Sequence, residues 1–118
     1  MIGAARYLKF ASIGYFVGVL PGAGGSSAAF VSYAEAKRSS KRPEEYNHGS
    51  IEGIAAAEGA NNAMCGGSLV PMLTFGIPGD TTAAVILGVL IINGLQPGPQ
   101  LMTENFAIVT PMMVALLV

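Results

Sequence analysis

The chain has 118 residues, 52% of them hydrophobic and only 11% charged, whereas charged side chains make up about a quarter of an ordinary soluble domain. A formal net charge of −1 excludes nucleic-acid binding by bulk charge. Cys65 and His48 are each the sole residue of their type, which excludes an internal disulfide and any His/Cys metal cluster; Cys65, between Met64 and Gly66, reads as a small buried thiol.

Arg6 and Lys9 precede the first apolar stretch. A basic start, an apolar middle and Ser27-Ala28-Ala29 beyond it mimic a secretory signal peptide, but Pro21 and several glycines interrupt the apolar part, and later segments are just as apolar. No charge occurs between Lys9 and Glu35. That run of about 25 residues could cross a bilayer core of ~30 Å as a helix. Its centre, however, reads Leu20-Pro21-Gly22-Ala23-Gly24-Gly25-Ser26-Ser27. Proline removes a backbone donor and glycine allows backbone angles that other residues avoid, so a helix breaks here. The segment 10–36 is therefore one broken span or a re-entrant hairpin with its tip at the break. Basic residues on both sides, Arg6 and Lys9 before it and Lys37, Arg38, Lys41 and Arg42 after it, favour a hairpin that enters and leaves on the cytoplasmic face.

Residues 37–50 form the main polar stretch and read as a cytoplasmic loop. Within it Pro43 can open a short helix, with Glu44 and Glu45 against the positive end of its dipole. Helices are then expected over 51–79 and 80–96, on either side of a second break. Small residues dominate 51–63, which suits close helix packing. Glu58 and Asn62, at i and i+4, share a face. From Gly59 to Gly79 no charge occurs, so Asn61 and Asn62 stand at the mouth of an apolar segment, where polar groups need partners. Helix-to-helix hydrogen bonding and ligation of a substrate or cation are the two readings of that pair.

The second break is Ile77-Pro78-Gly79-Asp80-Thr81-Thr82. It repeats the device of the first: an aliphatic residue, Pro-Gly, then hydroxyl side chains. Asp80 is placed to cap the next helix, with Thr81 and Thr82 in its first turn. That helix ends early at Asn93-Gly94 and Gln96-Pro97-Gly98-Pro99. Residues 100–118 start a further span, and the apolar run Pro111–Val118 has no polar flank, as expected for a piece of a longer membrane protein.

Two interrupted apolar segments are the sequence pointer to a secondary-transporter site, because irregular backbone at membrane depth is tolerated only where protein or a water-filled cavity satisfies it. An opened helix N-terminus binds anions, and freed carbonyls or a carboxylate suit a hard cation. The candidate substrate- and ion-binding residues are thus Pro21, Gly22, Gly24, Gly25, Ser26, Ser27, Asn61, Asn62, Pro78, Gly79, Asp80, Thr81 and Thr82. Asp80 is read as a simple cap, as a proton or cation site, or as a counter-charge to a basic group outside this stretch of chain. Gly22-Ala23-Gly24 begins a dinucleotide-binding pattern, but Ser27 stands where its third glycine belongs. No lysine follows these glycines, which rules out a P-loop. No catalytic constellation can be assembled, so the chain reads as a non-enzyme without a resident cofactor. The alternative to a transporter is a membrane scaffold or interaction module with no substrate path of its own.

The runs LPGAGGSSAAFVSYAEAKR (20–38), PEEYNHGSIEGIAAAEGANNA (43–63) and GGSLVPMLTFGIPGDTTAAVILGVLIINGLQPGP (66–99) resemble the large membrane subunit of the tripartite tricarboxylate transporters, the TctA family. The resemblance covers roughly residues 10–105 and points to the later half of a longer protein. It implies an all-α, multi-pass protein of the bacterial inner membrane with interrupted or re-entrant helices. It also implies carboxylate uptake, of citrate for example, by symport with Na⁺ or H⁺. The implied partners are a small membrane subunit and a periplasmic substrate-binding protein.

Overall fold

The computed structural model describes residues 3–117. The order is α1 (Ala4–Val19), α2 (Gly24–Ser39), a 3₁₀ turn (Pro43–Glu45), α3 (Ile51–Phe75), α4 (Thr81–Ile92), α5 (Pro99–Glu104) and α6 (Phe106–Leu117). Among the described residues there is no strand, and the fold is all-α.

The break between α1 and α2 has a local cause. Leu20 leaves the helix in an extended conformation, its N–H bonded to Val17 O. Gly22 and Gly24 follow at φ +78° and +69°, angles that side chains with a Cβ rarely adopt. The chain turns back on itself there. At the far end of the pair, the start of α1 meets the end of α2: Lys9 Nζ donates to Glu35 at 2.5 Å and Arg6 donates to Ser39 O at 3.0 Å. The start of α3 joins the same end through an Arg6–Glu52 ion pair and a bond from Ser40 Oγ to Glu52 at 2.8 Å. So α1 and α2 form an antiparallel hairpin, charged at its base and apolar at its tip, and α3 starts from the base. The Lys9 ammonium, then the Arg38 guanidinium, hold the Glu35 carboxyl below the usual carboxylate range. Helix α2 runs on to Ser39, so Lys37 and Arg38 belong to its last turn, where cations suit the dipole.

Helix α3 packs on this hairpin with almost nothing between the backbones. A methyl group added at Gly14 would overlap Ala60 O, one at Gly18 would overlap Met64 O, and one at Gly67 would overlap Tyr15 O. Gly14 and Gly18 are four apart on one face of α1, a spacing that lets two helices approach closely. On α2 the buried stripe is Ala28, Ser32 and Ala36, again small. Ser32 Oγ donates to Ala56 O at 2.9 Å, which gives a buried hydroxyl its partner. Larger side chains fill the base: Phe10, Ala36, Tyr46 and Ala56 form a cluster, with the Tyr33 ring edge-on to Tyr46 at 5.2 Å.

Helix α3 begins at a Ser50 cap, where Gly53 N–H donates to Ser50 Oγ at 3.2 Å. Pro71 lies inside it without ending it. It ends at Gly76, whose left-handed conformation at φ +71° lets its N–H reach back to Met72 O at 2.9 Å, a common glycine-terminated helix end. A second apolar cluster then gathers Met72, Ala83 and Leu90, with Leu95 and Met112 against it.

No described helix is long and apolar enough to cross a membrane. With 16 residues each, α1 and α2 are about 24 Å long against a hydrocarbon core of ~30 Å. Helix α3, at 25 residues, has the length, but Glu52, Glu58, Asn61 and Asn62 dilute its first half. Cys65, expected to be buried, is exposed. Met64 beside it turns inward, and Cys65, the next residue along the helix, falls off the packed face.

Candidate functional site: a cleft between two helix breaks

The two breaks lie far apart in the chain and touch in space. Gly22 N–H donates to Gly79 O at 2.9 Å. Around this contact is an open cleft of about 610 Å³, lined by Gly22, Gly24, Gly25 and Ser26 from the first break and by Pro78, Gly79, Asp80, Thr81, Thr82 and Ala84 from the second. Of the expected residues, Pro21, Ser27, Asn61 and Asn62 do not line it. Asn61 is its near neighbour, since a methyl at Gly25 would overlap the Asn61 side-chain oxygen. Asn62 is exposed on α3.

The glycines of the cleft are there for different reasons. Gly22 and Gly24 have nothing within 4 Å of an added methyl; their positive φ makes the turn, and their open side leaves the backbone approachable. Gly79 is buried, and a methyl there would overlap Gly18 O and press on Ser68. It wedges the second break into the seam between α1 and α3. The cleft's position is therefore set by backbone contact. A stacked pair of large side chains would leave room for adjustment; this does not.

Two helix N-termini open into the cleft, and they differ. At α4 the Asp80 carboxylate accepts the Ala83 N–H at 2.9 Å, so that terminus is filled by its own chain. At α2 the residue before the helix, Ala23, has helical angles and no side chain caps the end. A helix leaves its first four N–H groups without intrahelical partners, and Gly24, Gly25 and Ser26 border the cleft. One end suits an anion; the other already holds a carboxylate, whose charge disfavours a second anion and suits a cation.

Residues 3–118 match the tripartite tricarboxylate transporter TctA family. The chain belongs to this family. Over 96 residues the TctA-family chain is 46% identical to an "uncharacterized 52.8 kDa protein in TAR-I ttuC' 3'region" of Agrobacterium vitis, covering 81% of this chain and 19% of that protein. Over 95 residues it is 46% identical to an "uncharacterized protein in TAR-II ttuC' 3'region" of the same organism, covering 80% of this chain and 39% of the relative. It thus spans about a fifth of the first relative and two fifths of the second. No solved structure matches it.

Three residues that are not among the expected ones bear on the cleft in this TctA-family chain. Gly18 and Ser68 do not line it but pack against Gly79, and Ala84 is part of the lining. The four-residue spacing of Gly14 and Gly18 was the available signal for the first. Nothing in the sequence marks Ser68.

Proposed function

We propose that the chain forms part of a secondary transporter that takes up tricarboxylates or other carboxylates across the bacterial inner membrane, with the cleft between the breaks as the site for substrate and coupling ion. The observation that carries this reading is the Gly22–Gly79 hydrogen bond, which joins two Pro-Gly interruptions into one lined cleft. Family membership supports transport. In the proposal a substrate carboxylate sits at the uncapped N-terminus of α2, bonded by its free N–H groups and by the Ser26 hydroxyl, with the Asn61 amide at hand. Na⁺ or H⁺ is taken by Asp80, with Thr81 and Thr82 as neighbours. Substrate and cation then bind side by side and reinforce each other by Coulomb attraction, which is a physical basis for symport.

The α1–α2 pair is read as a re-entrant hairpin. Its support is the charged base, the apolar faces bearing exposed Phe16, Leu20 and Phe30, and helices too short to cross. Lipid and further helices of the whole protein would surround it. A small membrane subunit and a periplasmic binding protein are its expected partners, as the word tripartite in the family's description suggests.

The test is uptake of labelled citrate and related acids by vesicles containing the whole transporter. Gly24→Val should abolish uptake, but valine at φ +69° is strained whatever binds there. Ser26→Ala avoids that difficulty: loss of one hydrogen bond to a charged group, about 1.5–3 kcal/mol, should weaken the apparent affinity about tenfold or more. Asp80→Asn should change the cation dependence. Unchanged uptake in both Ser26→Ala and Asp80→Asn would refute the site. A scaffold with no substrate path predicts no uptake even by the unaltered protein.

A further inference from the structure

All six lysines and arginines of the chain lie at the base of the helical hairpin. Arg6 and Lys9 are engaged there by Glu52 and Glu35, across helices. The other four, Lys37, Arg38, Lys41 and Arg42, fall within six positions at the end of α2 and just beyond it, and all are exposed. Arg38 and Arg42 are 81% and 72% exposed and, among the described residues, pair with Glu35 and Glu45, three residues away. The Arg42–Glu45 pair is exposed on both sides, and such pairs are weak and readily exchanged for another anion; Arg38 shares Glu35 with Lys9. Lys37 and Lys41 have no acidic partner among the described residues.

The neighbouring surface says what kind of anion fits. Two turns before Lys37, α2 exposes Phe30 and Val31, at 76% and 50%. Seven residues of helix place Lys37 about 10 Å further along the axis. An apolar face followed at that interval by a basic cluster matches the step from acyl chain to phosphate in a bilayer, and lysine stems can lie along the boundary with the ammonium groups at headgroup level. We infer that Lys37, Arg38, Lys41 and Arg42 form a docking patch for anionic lipid headgroups, holding the base of the hairpin at the membrane surface. Clusters of four or more basic residues beside a membrane segment bind anionic lipid in this way. The inference rests on the membrane reading of the hairpin.

The experiment uses the whole transporter in neutral detergent, titrated with phosphatidylglycerol and with phosphatidylcholine, bound lipid being counted by native mass spectrometry. A basic residue near an anionic surface is worth about fivefold in binding. The preference for phosphatidylglycerol should therefore fall about twenty-five-fold in Lys37→Gln/Lys41→Gln and survive in Lys37→Arg/Lys41→Arg. Equal binding of the two lipids, or a preference unchanged in the glutamine variant, would overturn the inference. So would inorganic phosphate or heparin competing as strongly as the lipid, since the patch would then serve a free anion or a polyanionic macromolecule. A protein that washes off membranes in salt and carbonate, without detergent, would overturn the membrane reading itself, and the two failures are distinguished by that wash.

Discussion

Gly18→Ala tests the backbone contact on which the cleft stands. The added methyl would overlap Met64 O and lie 3.0 Å from both Met64 C and Met64 Cα. All three are backbone atoms of a helix, so no side chain can swing aside. Helices α1 and α3 must part, and Gly79, which rests against Gly18 O, must move with them. Overpacking of this kind costs about 1–3 kcal/mol, and rigid backbone on both sides puts it at the upper end. Alanine returns about 1 kcal/mol of helix propensity, leaving a net loss of about 2 kcal/mol. Gly66→Ala is the matched control, because a methyl there has nothing within 4 Å and only the propensity gain applies. Thermal unfolding of the purified whole protein should rank Gly66→Ala at or above the unaltered protein and Gly18→Ala several degrees below it. Substrate affinity should drop in Gly18→Ala alone. A Gly18→Ala protein as stable as Gly66→Ala would refute the close-contact argument.

Other expectations follow from single contacts. Asp80→Ala removes the cap on Ala83 N–H and should cost about 1 kcal/mol, whereas Asp80→Asn keeps a cap. Unfolding midpoints that fall only in the alanine variant, with cation dependence altered in both, would separate the two roles of Asp80. Glu35 has a lowered folded pKa because of Lys9 and Arg38. Its contribution is therefore complete above the ordinary carboxylate pKa and is lost as pH falls through the lowered value. Between pH 6 and pH 3 the midpoint should drop more steeply in the unaltered protein than in Glu35→Gln, and parallel curves would exclude this role. Among the described residues the buried Tyr46 hydroxyl has no well-formed hydrogen bond, although Ser40, Glu52 and Ser50 are close enough to act on it, so Tyr46→Phe should leave stability unchanged or raise it by up to about 1 kcal/mol; a clear loss in thermal unfolding would mean that one of these neighbours bonds the hydroxyl.

The local events of this chain were written in the sequence. Pro21 with Gly22 and Gly24 ends one helix and Asp80 starts another, because proline, glycine and a capping carboxylate act on backbone within a few residues of themselves; the helix expected over 51–79 stops earlier, at Phe75, where Gly76 turns left-handed. What the sequence did not disclose is that the two breaks meet. That depends on Gly14, Gly18 and Gly67 letting α1 and α3 touch backbone to backbone, and on Gly79 fitting into the seam they leave. The same distance from local cause explains Cys65, whose exposure follows from which face of α3 the hairpin covers. It also explains Asn61, brought beside Gly25 while Asn62, one residue on, stays outside. A residue's own chemistry decides where a helix starts and stops; which starts and stops become neighbours is decided by contacts between segments that no short window of sequence contains.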